Sequence, residues 1–314
     1  MYNYTVAQWL LFFFVYCFVG WVWESCYVSV RKHQWVNRGF MHGPLLPIYG
    51  SGAVIILLMT IPVRENLGLI FLFGMAGATT LEYCTGVCME KLFKVKYWDY
   101  SNYRFNLNGH ICLRVSIGWG VFSILLVRGL HLPVEYLVLK IPDNAAQLAA
   151  YILTVAAAVD FTQSFNEAMD LREIITKWSE SNERIQRIQS RLEAISAFTG
   201  SEYQDYMKRW QGLKELPKQS VSNIAEEYMN RKRQQLQTLA DKINEVLASG
   251  QEKAEEFLKF KEQLERDQRE LGSRTSRSAQ RASRLLRRNP DAISRKYGDA
   301  LKDFKVIIQK RREK

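Results

Sequence analysis

Glu24, Glu82, Arg114 and Asp160 each interrupt an otherwise apolar run of this 314-residue chain. An ionisable group at bilayer depth is costly to keep, so each is a candidate functional group by default. All four are expected about one to three helical turns from the same end of their segments. Around Glu82 the helical period gathers Met75, Ala78, Thr79 and Gly86, with Glu90 offset; around Asp160 it gathers Ala149, Ala156, Ala157, Ser164 and Glu167. Small and polar faces of this kind pack helix on helix in lipid. The acids are therefore expected to point into a bundle, with Arg114 as their counter-charge and Glu90 as a further member. One arginine cannot neutralise three carboxylates. Either a carboxyl is protonated, or a cation or cationic ligand is bound, or water enters from the cytoplasm. The alternative is an internal Arg–acid network that only fixes the packing.

The elements that must position these groups are apolar helices. A span needs about 20 apolar residues. Five segments are expected, near residues 6–30, 44–61, 67–93, 111–127 and 147–168, with Pro47 as a kink in the second. The loops after the first, third and fifth segments carry most of the lysine and arginine. Basic loops lie inside, so the N-terminus is expected outside and the C-terminus inside. The N-terminal run has no preceding positive charge and reads as a retained span rather than a cleaved leader. Five cysteines without a CxxC read as unbridged thiols.

The inner loops add polar groups at the level of the acids. His42 and Tyr49 lie in a Gly- and Pro-dense stretch, 39–52, which suggests irregular backbone lining a cavity. Asp99, Asn106, Asn108 and His110 lie in an aromatic, Asn-rich loop expected to floor it. These six are the expected rim. Neither histidine falls into a metal-binding spacing, and no metal is expected.

Charge divides the chain. Residues 1–170 hold 11 of the 43 Lys/Arg and 10 of the 32 Asp/Glu, leaving 32 and 22 for the remainder. The expected organisation is a transmembrane helix bundle over 1–170, amphipathic helices with coiled-coil character over 171–273, and a basic helical tail over 274–314. In the tail, Arg274, Arg277, Arg281, Arg284 and Arg288 step by three and four, placing an arginine stripe on one helix face. Tethered beneath a membrane, such a stripe is expected to meet anionic headgroups. Nucleic acid is not expected, because the aromatic interleaving that stacks bases is missing.

The fold class is thus an all-α, five-span membrane protein followed by cytoplasmic helices. GxxxxGK[ST], GxSxG and HExxH do not occur. Gly20-Trp-Val-Trp-Glu24, the 39–52 stretch GFMHGPLLPIYGSG, Leu81-Glu82 with Gly86 and Glu90, Trp98-Asp99-Tyr100-Ser101, and Asn106-Leu-Asn-Gly109 leading to Ser116 and Trp119-Gly120 occur in that order. Together they resemble the bacterial membrane family described as putative ABC-transporter type IV, also called CmpB-like, over about residues 5–170. The resemblance implies a permease component in a bacterial plasma membrane, with any ATPase on a separate chain and a homo-oligomer open. No cofactor is implied. Two other readings stand beside it: an intramembrane enzyme acting on a lipid or lipid-linked substrate, and a scaffold recruiting partners through its cytoplasmic helices.

Overall fold

The computed structural model describes residues 4–196 and 277–310, with residues 237, 241 and 262 between them. It is mostly helical. α1 (Val6–Lys32) opens on a capping box between Thr5 and Gln8 and closes on His33 in the left-handed region. α2 (Pro47–Thr60) is followed by a 3-10 turn, Ile61–Val63. α3 (Leu67–Phe93) is capped by Asn66 and ends at Lys94, again left-handed. α4 (Leu113–Leu125) runs through a π turn, Leu126–Leu130, into α5 (His131–Leu139). α6 (Asp143–Ser196), α7 (Arg277–Arg288) and α8 (Gly298–Lys310) follow.

Four stretches are long and apolar enough to cross a membrane: Val6–Lys32, Leu67–Phe93, Leu113–Leu139 and Asp143–Lys177. Pro47–Val63 is apolar but shorter. Two expectations change. Pro47 is not a kink; it occupies the first turn of α2, where its missing N–H costs nothing. The fourth segment continues past Val127 to Leu139, because the π turn absorbs Gly129 without ending the helix. The apolar-to-polar change near Asp170 does not break α6, which contains neither Gly nor Pro.

The chain divides into two compact units. The first is Met1–Arg172 together with Arg284–Lys296; the second is Glu173–Ser283 together with Tyr297–Lys314. In the second, α8 buries Leu301, Phe304 and Ile308 at helical spacing. The coiled-coil expectation falls largely on residues outside those described.

The core of the first unit is built at three- and four-residue steps. Ala7, Leu11, Phe12 and Tyr16 of α1 meet Ala53, Ile56 and Leu57 of α2, Ile70 and Ala78 of α3, and Ala146 and Ala150 of α6. Close backbone approach is what lets them meet. A Cβ on Gly20 would strike Tyr49, and one on Gly50 would strike Cys17 and Phe13, so α1 and α2 touch through glycine. Gly74 and Gly120 do the same between α3 and α4, against Ser123 and Phe71. The five cysteines are free.

One feature was not expected in an all-α fold. Asn106–Leu107 (β1) pairs antiparallel with Ile111–Cys112 (β2), and Asn108 and Gly109 turn between them at φ 52° and 68°. Lys96 also forms an antiparallel bridge with Ile293.

Candidate functional site

The first cluster joins four helices and two loops. Glu82, on α3, is 6% exposed. Its Oε1 accepts from the Tyr100 hydroxyl at 3.0 Å and its Oε2 from the Trp119 indole N–H at 3.0 Å. Glu24, on α1, accepts from the Tyr49 hydroxyl at 2.9 Å and lies 4.0 Å from the Arg38 guanidinium. The Tyr49 and Trp119 rings meet edge to face at 6.4 Å. Burial, and then the Glu82 carboxylate, push the Tyr100 hydroxyl well above the ordinary phenol range; Glu24 adds to this. Tyr100 is therefore a durable hydrogen-bond donor within the field of both acids. No lysine, arginine or histidine among the described residues forms an ion pair with Glu82.

The second cluster lies in the loop after α3. The Lys96 ammonium is buried and donates to the Asn108 carbonyl at 2.6 Å and to Asp99 at 3.3 Å, with Glu90 at 3.9 Å. His110 Nε2 lies 3.1 Å from Glu90. Burial pushes Asp99 up, but the Ser101 hydroxyl and Lys96 outweigh it and hold its carboxyl below the usual range. Burial and the Lys96 charge push His110 down, against Glu90.

The third cluster centres on α6. Asp160 accepts from the backbone N–H of His42 at 3.0 Å and of Gly43 at 2.7 Å. His42 Nδ1 lies 3.0 Å from Asp160, and its Nε2 lies 3.0 Å from Glu167. Ser164 completes the cluster, its hydroxyl 3.0 Å from His42 Nδ1. Glu167 is 1% exposed and receives Arg284 at 2.8 Å and Arg288 at 2.7 Å.

The four intramembrane charges therefore do not share one cavity floor. Glu24 and Glu82 come together with Tyr49, Tyr100 and Trp119; Asp160 joins His42 and Glu167; Glu90 joins Lys96, Asp99 and His110. Arg114 is not the counter-charge. It is exposed, lies 6.0 Å from the Tyr103 ring, and pairs with no carboxylate among the described residues. In the first turn of α4, its side chain faces outwards while Ser116 and Gly120 face in. The compensating cations come from loops and tail instead: Arg38, Lys96, Arg284 and Arg288. Two members of the expected lipid stripe are thus committed to Glu167; Arg281 is exposed, while Arg274 and the side chain of Arg277 lie outside the described residues. Asn106 and Asn108 shape the hairpin, Asn106 accepting from the Gly109 N–H and Asn108 offering its carbonyl to Lys96.

Sequence reasoning missed Trp119, Lys96 and Glu167 as site members and placed Tyr100 only in the loop, without its bond to Glu82. Glu167 was visible on the Asp160 face; the hydrogen-bond donors carried no periodic signal.

No curated protein and no solved structure matches the chain. Residues 11–165, which carry α1 through the apolar part of α6 and the acids Glu24, Glu82 and Asp160, match the family described as "Putative ABC-transporter type IV", so it is this apolar region that is similar to that family.

Proposed function

We propose that this protein is a permease-type component of a membrane transport system whose site is the Glu24–Glu82 cluster. It takes a cation, as a proton or an amine-bearing solute. The observation that carries this is the company Glu82 keeps. A carboxylate nearly sealed in an apolar helix is met only by two neutral donors, a phenol and an indole. An ionised carboxylate at such depth without a cation is costly. It gains when a proton or an ammonium group arrives. The faces of Tyr49, Tyr100 and Trp119 would add cation–π attraction for an organic ammonium.

In this reading the chain crosses the membrane five times, with α2 as the short span, the N-terminus outside and the site opening to the cytoplasm. The gathering of the basic loops 33–46 and 94–112 with segment 284–296 on one face supports it. Energy from ATP would come from a separate subunit in the bacterial plasma membrane.

The test is flux in vesicles reconstituted with the full chain. A trapped pH dye reads protons, and mass spectrometry reads uptake of a panel of organic ammonium solutes. Glu82→Gln keeps the shape and removes the charge. It should lower flux by at least about tenfold, as expected for a group that meets the transported species. Undiminished flux in Glu82→Gln and in Glu24→Gln would sink the proposal.

A further inference from the structure

The basic tail contains a segment that the transport reading uses only to orient the chain. Residues 284–296 belong to the same compact unit as the helical bundle, more than a hundred residues after α6 enters it. They lie across both polar loops. The Arg288 guanidinium donates to the Phe40 carbonyl, and the Asn289 amide donates to the Gly39 carbonyl at 2.8 Å. Arg38 returns a bond to Asn289 Oδ1 at 3.1 Å. Lys32 pairs with Asp291 at 2.8 Å. On the other loop, Lys96 and Ile293 exchange both backbone hydrogen bonds, at 2.7 and 2.9 Å. Ser294 donates to the Lys94 carbonyl, and Arg295 donates to Ser101 and to the Asn108 carbonyl.

Two of these ties reach the acid cluster. Arg38, held by Asn289, is the cation beside Glu24. The loop held by Ile293, Ser294 and Arg295 is the one that carries Tyr100 to Glu82. Lys96, Asn289 and Ala292 are buried where the segment crosses. Yet its outer members are in water: Asp291 and Arg295 are exposed. The bonds of these exposed members exchange with water at modest cost, whereas Leu285, Leu286 and Ala292 of the same segment are packed apolar contacts.

We infer that residues 284–296 are an intramolecular strap that holds loops 33–46 and 94–112 together over the Glu24–Glu82 cluster, and that the strap must detach before anything enters from that face. The inference goes beyond the transport reading and uses its site only as the place where access is measured.

Cys112 is a native reporter. It is 1% exposed, sits in β2, and lies within the electrostatic reach of Tyr100. With the exposed Cys26, Cys84 and Cys88 replaced by serine, a membrane-impermeant cationic methanethiosulfonate would label Cys112 only when the loop face opens. In the full chain, Asp291→Lys and the double variant Asn289→Ala/Asp291→Lys should raise the labelling rate by at least about tenfold. Backbone exchange at Ile293 should rise in parallel. Asp291→Lys alone alters an exposed position, so it keeps the test valid if the double variant does not fold. Three results would overturn the inference: rapid labelling in the unmodified strap; accelerated Ile293 exchange without faster labelling; or unchanged exchange in the variants, which would make the strap a fixed part of the bundle. Failure of the transport reading looks different, because Glu82→Gln would then keep its flux while Cys112 labelling still answered to the strap.

Discussion

Glu82 and Glu167 are both glutamates buried to within a few per cent on long apolar helices, and they are held in opposite ways. Glu167 meets two guanidinium groups and an imidazole within 3.0 Å. Glu82 meets a phenol and an indole at 3.0 Å. The first carboxylate is saturated with positive charge and acts as a tie point between α6, the 33–46 loop and the strap. The second is satisfied in hydrogen bonds but not in charge. Only the second has anything to gain from an arriving cation. Burial alone therefore does not mark a site; the charge of the partners does.

The contrast breaks most visibly at Glu167. Glu167→Ala leaves Arg288 buried without its partner, a loss of about 3–5 kcal/mol by analogy with broken buried pairs. Thermal unfolding in detergent would report it as a large fall in midpoint. A midpoint close to the parent would mean that the arginines find water instead. Glu82→Gln should cost less, about 1–2 kcal/mol, since the amide can still accept one of the two bonds. If it destabilises as strongly as Glu167→Ala, Glu82 is structural and the contrast fails.

Acidification should act on the loop between them. His110 is held below its ordinary range by burial and Lys96, and Asp99 below its own by Ser101 and Lys96 against burial. A folded value below the unfolded one contributes stability at high pH and loses it as pH falls through the folded value. For His110 the contribution is complete above about 6.5, and for Asp99 above about 3.9. Both signs agree, so protection factors across 98–110, taken against the intrinsic exchange rate at each pH, should fall as pH is lowered, His110 acting first. Protection that rises on acidification would reverse the assignment of Lys96 as the dominant charge. The smallest effect is expected at Arg114. Its contact with Tyr103 is exposed, so Arg114→Gln should change stability by no more than about 0.5–1 kcal/mol. A larger loss would restore Arg114 as a counter-charge.

The apolar helices were legible because their runs are long and their interruptions few; Val6–Lys32 and Leu67–Phe93 fall within a residue or two of expectation. The hairpin at Asn108-Gly109 carried a readable signal, since Asn and Gly tolerate the positive φ such a turn requires. It was overshadowed by the aromatic residues around it. The acids themselves were legible, but not their partners. Arg284 and Arg288 reach Glu167 from 117 and 121 residues away, and Arg38 meets Asn289 across 251. Helical periodicity says which residues share a face. It is silent about which distant segment lies against that face. For the same reason Arg114 was given a role that its outward side of α4 does not allow.

The glycine contacts have a mechanical consequence. α1 meets α2 through Gly20 and Gly50, and α3 meets α4 through Gly74 and Gly120, each with no room for even a methyl group. Joints so tight have no slack: they can slide neither past one another nor apart without losing contact along their length. Asp160 and the outer half of the strap are joined to the same bundle by hydrogen bonds and ion pairs at its edge, which water can replace one at a time, while Glu167, Leu285 and Leu286 anchor the inner half. Any working stroke in this unit therefore divides unequally, with the glycine-welded helices as the frame and the polar seam as the hinge.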